Sequence, residues 1–430
     1  MSERVDLAII GAGAAGLMAG IWAGRTQPQR SIIILDGASK IGAKILVSGG
    51  GRCNVTHHEV DAAAFAGSSR NAINKVLRRF DVSQTIAFFR ELGVELKREE
   101  TGKLFPTTDS AKTILHALLR AAAQAQVVIQ YPRRVDAVEK ISNGFSIRGK
   151  WGELVANEIV LATGGKSLPK TGSDGHGLQI AQALGHSITP RIFPALVPLT
   201  LPPGHFIRDL SGLTVPATLE VRSRSGKKLV AFTDSTLCTH FGLSGPSVLD
   251  ISRYFLDAKF DDPETMLVIN WWPGKTTEQL DAELQMLRQI TVVKYLRAAL
   301  PQSLARALCQ QADLEPNTSG NILTRTQRLA LARAVTQMPL PISGDRGYNF
   351  AEVTAGGVPL NELHLDRMES RVCPGLFLCG EICDVDGRIG GFNFQWAWAS
   401  GFVAGVAFGK RSDRLIGADS IHTENGKPAG

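Results

Sequence analysis

The stretch VDLAIIGAGAAG, residues 5–16, decides the fold. Residues 5–10 form a short apolar run of the kind a strand buried in a parallel sheet needs. Gly11 makes the tight turn, Gly13 lets the backbone approach a pyrophosphate, and Gly16 lets the next helix pack closely on the sheet. The phosphates then sit on unpaired amides, around Ala14 and Ala15, at the positive end of the helix dipole. A second apolar run, SIIILD, ends at Asp36, whose carboxylate is placed to accept hydrogen bonds from ribose hydroxyls. An acidic residue there argues against a 2′-phosphate, so the half-site suits FAD or NAD better than NADP.

Its counterpart lies at the other end of the chain, in LFLCGEICDVDGRIGGFNFQWAWASG, residues 376–401. This is a strand–turn–helix pattern. Gly380 and Glu381 end a core strand, with the acid positioned for ribityl or ribose hydroxyls. Gly390, Gly391, Phe392 and Asn393 open the final helix. Its N-terminal amides suit the pyrimidine edge of a flavin, where a helix terminus contributes about 0.3–2 kcal/mol toward negative charge. One FAD gripped by both ends is therefore the expected cofactor. No second Gly-x-Gly-x-x-Gly follows on a strand–helix unit, so NAD(P)H, the expected electron donor, has no domain of its own and must dock transiently.

Composition sets the frame. The chain has 430 residues, enough for two or three domains, with 44% hydrophobic and 20% charged residues. No apolar run is long enough to span a bilayer, and the first strand begins too early for a signal peptide. Six scattered cysteines do not make a disulfide framework, so the expected location is cytoplasmic, with reduced thiols. The net charge is +7, concentrated between Arg288 and Arg333, where seven basic residues face two acidic ones. Such a face is either a solvated helical surface or a contact for RNA or another polyanion.

The fold class expected is α/β: a Rossmann-like FAD-binding domain, discontinuous over 1–190 and 344–412. Within the first part, helices are expected near 73–80, 84–92 and 111–126, and a strand at 127–130. GFSIRGKWGELVANEIVLATGG then reads as two antiparallel strands followed by a returning core strand. Ala162, Thr163, Gly164 and Gly165 form the glycine-containing turn at its end, where backbone passes close to a cofactor. PRIFPALVPLTLPPG, residues 190–204, carries five prolines and reads as a linker or edge. Short alternating segments predict a β-barrel-like insert over 191–275. Leu-, Ala-, Arg- and Gln-rich periodicity predicts a helical insert over 276–343. The polar stretch 413–430 is expected to be a disordered tail.

Several longer motifs occur in order: GAGAAGLMAG, SGGGRCNVT, LATGGKSLPKTGSDGHG, PALVPL, THFGLSGPSVL, EVTAGGV, MESRVCPGLFLCGEICDVDG and GGFNFQWAWASG. Over residues 4 to about 409 the chain resembles the BaiN/RdsA-type flavoproteins, also called the YhiN-like or aminoacetone-oxidase-like FAD-binding family. The resemblance implies the same inserted architecture and lays Ser48, Gly49, Gly50, Gly51, Arg52, Cys53 and Asn54 along FAD. Lys44 and Val135 join the cofactor-binding candidates on the same ground. His57 stands where the family often has Asn, and Cys383 where an aliphatic residue is usual.

Two residues are candidates for proton chemistry. Cys53, as a thiol beside a flavin, would protonate a substrate carbon while hydride arrives from the other face; its bland reading is a small buried filler. His240, which the family places toward the cofactor, is an acid, a substrate ligand or a satisfied structural histidine. No metal site is expected, since CNVTHH has no second half-site and Cys379–Cys383 is not C-x-x-C.

Function follows in three versions. The first is an FAD-dependent reductase taking hydride from NAD(P)H and adding it across an activated C=C bond. The acceptors implied by the resemblance are a uridine of large-subunit ribosomal RNA, giving dihydrouridine, or an unsaturated steroid-like enone. The basic insert favours RNA. The second is an oxidase of a small amine or aminoketone. The third is an RNA-binding or assembly protein that keeps FAD only structurally.

Overall fold

The computed structural model describes residues 3–416, with side chains for residues 4–408. Of the expected tail, 413–416 belong to the last helix, and 417–430 lie outside the described residues. By contacts the chain divides into Met1–Ile192 with Val353–Gly430, and Phe193–Glu352. The sequence reading puts these boundaries at 190/191 and 343/344.

The first unit is built on five parallel strands, β1 (Glu3–Ile10), β2 (Ile32–Leu35), β3 (Val128–Gln130), β4 (Gly152–Leu161) and β5 (Leu376–Leu378). They pair in the order β5-β4-β1-β2-β3. Leu7, Ala8 and Ile9 are fully buried, and all four residues of β2 are buried, as the continuous apolar runs require. Strand order reverses at β1, with β2 on one side and β4 on the other. In open α/β sheets, ligands occupy the crevice outside the carboxyl ends of the strands at such a point.

β4 corrects one expectation. The second antiparallel strand and the core strand are one continuous element. Its residues 152–156 pair antiparallel with Gly144–Gly149, and its residues 159–161 pair parallel with β5. Asn157 and Glu158 supply no glycine or proline to break the strand, so it runs on.

Three helices shape the crevice: α1 (Ala14–Thr26), α2 (Ala43–Gly51) and α3 (Phe392–Ile416). α1 and α3 cross with almost no space between them. A Cβ added at Gly401 would stand 2.5 Å from the Ala15 carbonyl oxygen, and one at Gly405 would stand 2.4 Å from that of Ala19. The N-terminal strand–turn–helix and the C-terminal helix are thereby fixed to each other through backbone.

The same unit carries a pH-sensitive tie. The His186 ring, whose side chain is fully buried, has Nδ1 2.7 Å from Glu362 Oε2. Ser187 donates to the same carboxylate through its amide and hydroxyl. Burial pushes the Glu362 carboxyl up, but the hydrogen bonds from Ser187 and His186 together pull it below its ordinary 4.5. A depressed carboxylate contributes stability that is present above the unfolded value and lost as pH falls through the folded one. Melting temperature is therefore expected to fall more steeply below about pH 4.5 in the wild type than in Glu362→Gln. Parallel curves for the two proteins would remove Glu362 from the acid response.

The second unit holds seven strands in one antiparallel sheet. Their order is Met338–Leu340, Met266–Asn270, Thr214–Arg222, Lys228–Thr239, Gly242–Ser244, Leu199–Thr200 and Gly344–Asp345. Leu219 and Ile269 from the sheet share one apolar cluster with Leu280, Leu308 and Leu331 from the helices. Stretches 191–275 and 276–343, read separately from sequence, thus contribute to a single core. Among the described residues no helix is long and apolar enough to cross a membrane.

Candidate functional site

The crevice at the carboxyl ends of β1 and β4 begins with the glycine turn. Gly11 has φ +108°, and a Cβ there would lie 2.4 Å from the Ala162 carbonyl oxygen. A Cβ at Gly16 would lie 1.9 Å from the Gly11 oxygen, so turn and helix are in backbone contact. Gly13 is different: a Cβ there meets no protein atom within 4 Å. The turn is therefore packed at its first and third glycines and open at its second. That is the shape a pyrophosphate on the N-terminus of α1 requires. Ala14 is half-buried and Ala15 buried in the first turn of that helix.

Asp36, half-buried at the end of β2, is already engaged. Its Oδ2 accepts from the Ala12 amide at 2.7 Å and its Oδ1 from the Ala38 amide at 2.8 Å. Each carboxylate oxygen has a second lone pair, so a ribose hydroxyl has a place beside these bonds. The Arg133 amide donates to the Asp36 carbonyl at 2.6 Å, which brings the 131–136 segment, with buried Val135, against the end of β2.

Beyond β4, the Ala162–Gly165 turn is held by Thr354. Its Oγ1 accepts from the Lys166 amide at 2.7 Å and the Ser167 amide at 3.0 Å. A Cβ at Gly165 would sit 2.5 Å from that Oγ1 and 2.8 Å from Glu381 Oε1. The Thr354 amide donates to Glu381 Oε1 at 3.0 Å, and Lys44 pairs with Glu381 Oε2 at 2.5 Å. Lys44, Gly165 and Glu381, from three distant stretches, are thus drawn together. Thr163 Oγ1 is buried and has no hydrogen-bond partner.

α2 ends in the three glycines. Gly49, Gly50 and Gly51 all take positive φ, breaking the helix after Ser48, and Cys53 follows with φ +61°. The segment then turns across α3. A Cβ at Gly391, itself at φ +96°, would meet the Thr56 backbone at 2.6 Å. Trp398 Nε1 donates to the Val55 carbonyl at 2.9 Å, and Thr56 Oγ1 donates to Gln395 Oε1 at 2.7 Å. Gly380 is fixed to the same helix, its amide donating to Ser400 Oγ at 2.9 Å. Asn54 is buried with Oδ1 unpartnered. Asn393 uses its side chain internally, bonding the Gly387 amide and carbonyl at 2.8 and 2.9 Å to close the loop that leads through Gly390. Phe392 stacks on His57, ring centroids 5.0 Å apart.

The remaining predicted residues sit as follows. Arg52 pairs with Glu99 at 2.6 Å and lies over the Phe105 ring, so its charge is spent within the protein. Cys53 is fully buried; burial pushes its thiol up to about 12 against a hydrogen bond with Ser48, and it stays protonated at neutral pH. His240 belongs to the second unit, where its carbonyl accepts from Arg208 Nε at 2.7 Å and its exposed ring packs edge-on to Phe241. Thr354, Thr56 and Gln395 were not singled out from sequence; the only signal was their presence inside EVTAGGV, CNVTHH and GGFNFQWAW.

These residues fit an FAD: an open phosphate cradle at Gly13, an acid at the end of β2, and the orphaned Thr163 Oγ1 and Asn54 Oδ1. Comparison with known proteins agrees. The family model described as HI0933-like protein Rossmann domain matches residues 5–407. A relative from Clostridium scindens named 3-dehydro-bile acid delta(4,6)-reductase is 33% identical, covering 94% of this chain and 99% of its own. A relative from Escherichia coli named ribosomal RNA dihydrouridine synthase is 34% identical, covering 93% and 97%. The FrdA subunit of E. coli quinol fumarate reductase superposes with a TM-score of 0.54 at 15% identity, covering 99% of this chain and 72% of its own, a likeness of fold. With a family model spanning nearly all of the described residues, the chain belongs to the HI0933-like Rossmann family and is an FAD-dependent oxidoreductase.

Proposed function

We propose that this protein reduces the C5=C6 bond of a uridine in large-subunit ribosomal RNA to dihydrouridine, with NAD(P)H as electron donor. One observation carries the RNA acceptor. Arg288, Lys294, Arg297, Arg306, Arg325 and Arg333 are exposed and make no ion pair among the described residues, whereas Arg328 is held by Asp281 at 3.1 Å. Unspent cations concentrated in one stretch of the chain are what a polyanion contact asks of a sequence. The similarity to the E. coli relative supports the same acceptor.

Bound FAD would supply hydride to the β-carbon of a double bond conjugated to a carbonyl. The chain's residues supply the rest. The Gly11–Gly16 turn and α1 would hold the phosphates and Asp36 the ribose, Lys44 and Glu381 brace the turn after β4, and the amides at the start of α3 would favour negative charge on the flavin. Cys53 is the proposed acid, because it follows the three glycines in the segment that the family resemblance lays along FAD. Cys53→Ala is expected to keep its flavin and its rate of bleaching by NADPH, while product formation falls by roughly 10²–10⁴-fold. Unchanged product formation would assign the proton to another group, and His240→Ala is then the next variant.

A second reading is favoured by the Clostridium relative, of nearly equal identity: reduction of an unsaturated steroid-like enone. The test is deletion of the gene, followed by mass spectrometry of ribosomal RNA nucleosides. Loss of one dihydrouridine supports the RNA reading. Intact dihydrouridine, with oxidation of the NADPH-reduced protein by a conjugated enone, supports the other.

A further inference from the structure

On the second unit, a cleft of about 380 Å³ opens between the ends of two helices and the sheet. It is lined by His205 and Phe206, by Gln311 at the end of Gln302–Gln311, and by Arg333, Gln337 and Met338 where Arg325–Thr336 runs into the sheet. The volume falls at the small end of the 300–1,000 Å³ or so typical of ligand pockets. Two of the lining residues are aromatic: the His205 and Phe206 rings stack, centroids 4.9 Å apart and 29° from parallel. His205 Nδ1 is spent accepting from the Ile207 amide, and burial pushes the imidazole pKa down, so the ring is neutral at neutral pH.

The rim is polar and unspent. The side chains of Gln311, Gln337 and Arg333 make no hydrogen bond or ion pair among the described residues. Two primary amides, those of Gln311 and Gln337, offer donors and acceptors together. An aromatic pair with mixed donors and acceptors beside it matches a nucleobase, whose flat faces stack and whose rim carries both kinds of group. The guanidinium of Arg333 beside it matches the phosphate that a base in a strand brings along.

We propose that this cleft binds one unpaired nucleotide of the RNA substrate, base against the Phe206 ring and phosphate on Arg333. The proposal rests on the RNA reading above and gives it a second point of attachment, on the inserted unit.

The test is fluorescence anisotropy with a labelled oligouridylate of about 12 nucleotides, over a range of salt. Arg333→Ala is expected to reduce the slope of log affinity against log salt by about 0.7, the loss of one single-strand phosphate contact. Phe206→Ala is expected to weaken binding by roughly 5- to 150-fold, the range for losing one stacked base. Gln337→Leu, at an exposed position, keeps the test alive if Phe206→Ala does not fold, and is expected to weaken binding several-fold. Arg224→Ala, which removes an exposed arginine paired with Glu264 elsewhere on the unit, is the control. Wild-type affinity and slope in all three cleft variants would overturn the proposal. So would equal losses in Arg333→Ala and Arg224→Ala with Phe206→Ala and Gln337→Leu unaffected, since the face would then act only as diffuse charge. The gene deletion stands apart: a full complement of dihydrouridine there defeats the RNA reading even if the cleft variants behave as expected.

Discussion

Gly13→Ala is expected to yield protein that melts with flavin-free wild type yet leaves the column without yellow colour. Gly13 has φ −79° and ψ −170°, a conformation alanine adopts freely, and the added methyl meets no protein atom within 4 Å. The polypeptide therefore has no reason to object. What the methyl would meet is whatever occupies the open space at the start of α1, and crowding a close-packed contact costs about 1–3 kcal/mol, or roughly 5- to 150-fold in affinity. Gly16→Ala, three residues on, is expected to do the opposite. Its methyl would stand 1.9 Å from the Gly11 oxygen, so the turn and helix must part and the protein itself is destabilised. Two glycines of one turn thus separate a binding defect from a folding defect. Titration of FAD into apoprotein, read by flavin fluorescence, with a thermal melt of each variant, measures both. Wild-type FAD affinity in Gly13→Ala would mean that the phosphates lie elsewhere.

The contrast between those glycines is legible in the sequence, because a buried strand followed by this spacing permits few backbone paths. That β1 is a buried strand of a parallel sheet followed from the same logic. What escaped reading has physical reasons. α2 hides in AKILV, too short a run before the glycines to show helical period. The strand Met338–Leu340 is three residues with a central proline, yet it pairs with Met266–Asn270 and draws the helices into the same core as the sheet. Long-range ties were the least visible. Lys44 and Glu381 are 337 residues apart, and nothing in the spacing of either announces the pair. Asn393 was read as part of a flavin-facing helix start, and that its side chain also closes the loop at Gly387 was not announced by the sequence. Thr354 arranges an entire cofactor-side turn, yet in sequence it is one threonine before a pair of glycines.

Gly405→Ala poses a conflict between two effects whose magnitudes decide the sign. In the interior of α3, replacing glycine by alanine favours the helix by about 0.8–1 kcal/mol. Against this, the new methyl would stand 2.4 Å from the Ala19 carbonyl oxygen and 3.0 Å from Trp22 Cβ. A carbonyl inside a helix cannot rotate aside, so relief requires α3 to move bodily away from α1, and overpacking of this kind costs about 1–3 kcal/mol or more. The clash is expected to win, lowering the melting temperature, and Gly405→Val to lower it further. Gly401→Ala, 2.5 Å from the Ala15 oxygen, acts on the same crossing, so the double variant should lose less than the two single losses added together. The consequence reaches the site. α1 starts at the Gly13 cradle and α3 directly after Gly390 and Gly391, so parting the helices parts the two stretches proposed to grip the flavin. Stability and FAD affinity are therefore expected to fall together in these variants, in contrast to Gly13→Ala, where only affinity falls. A Gly405→Ala protein that melts above wild type would show that helix propensity prevails and that the crossing has room to spare.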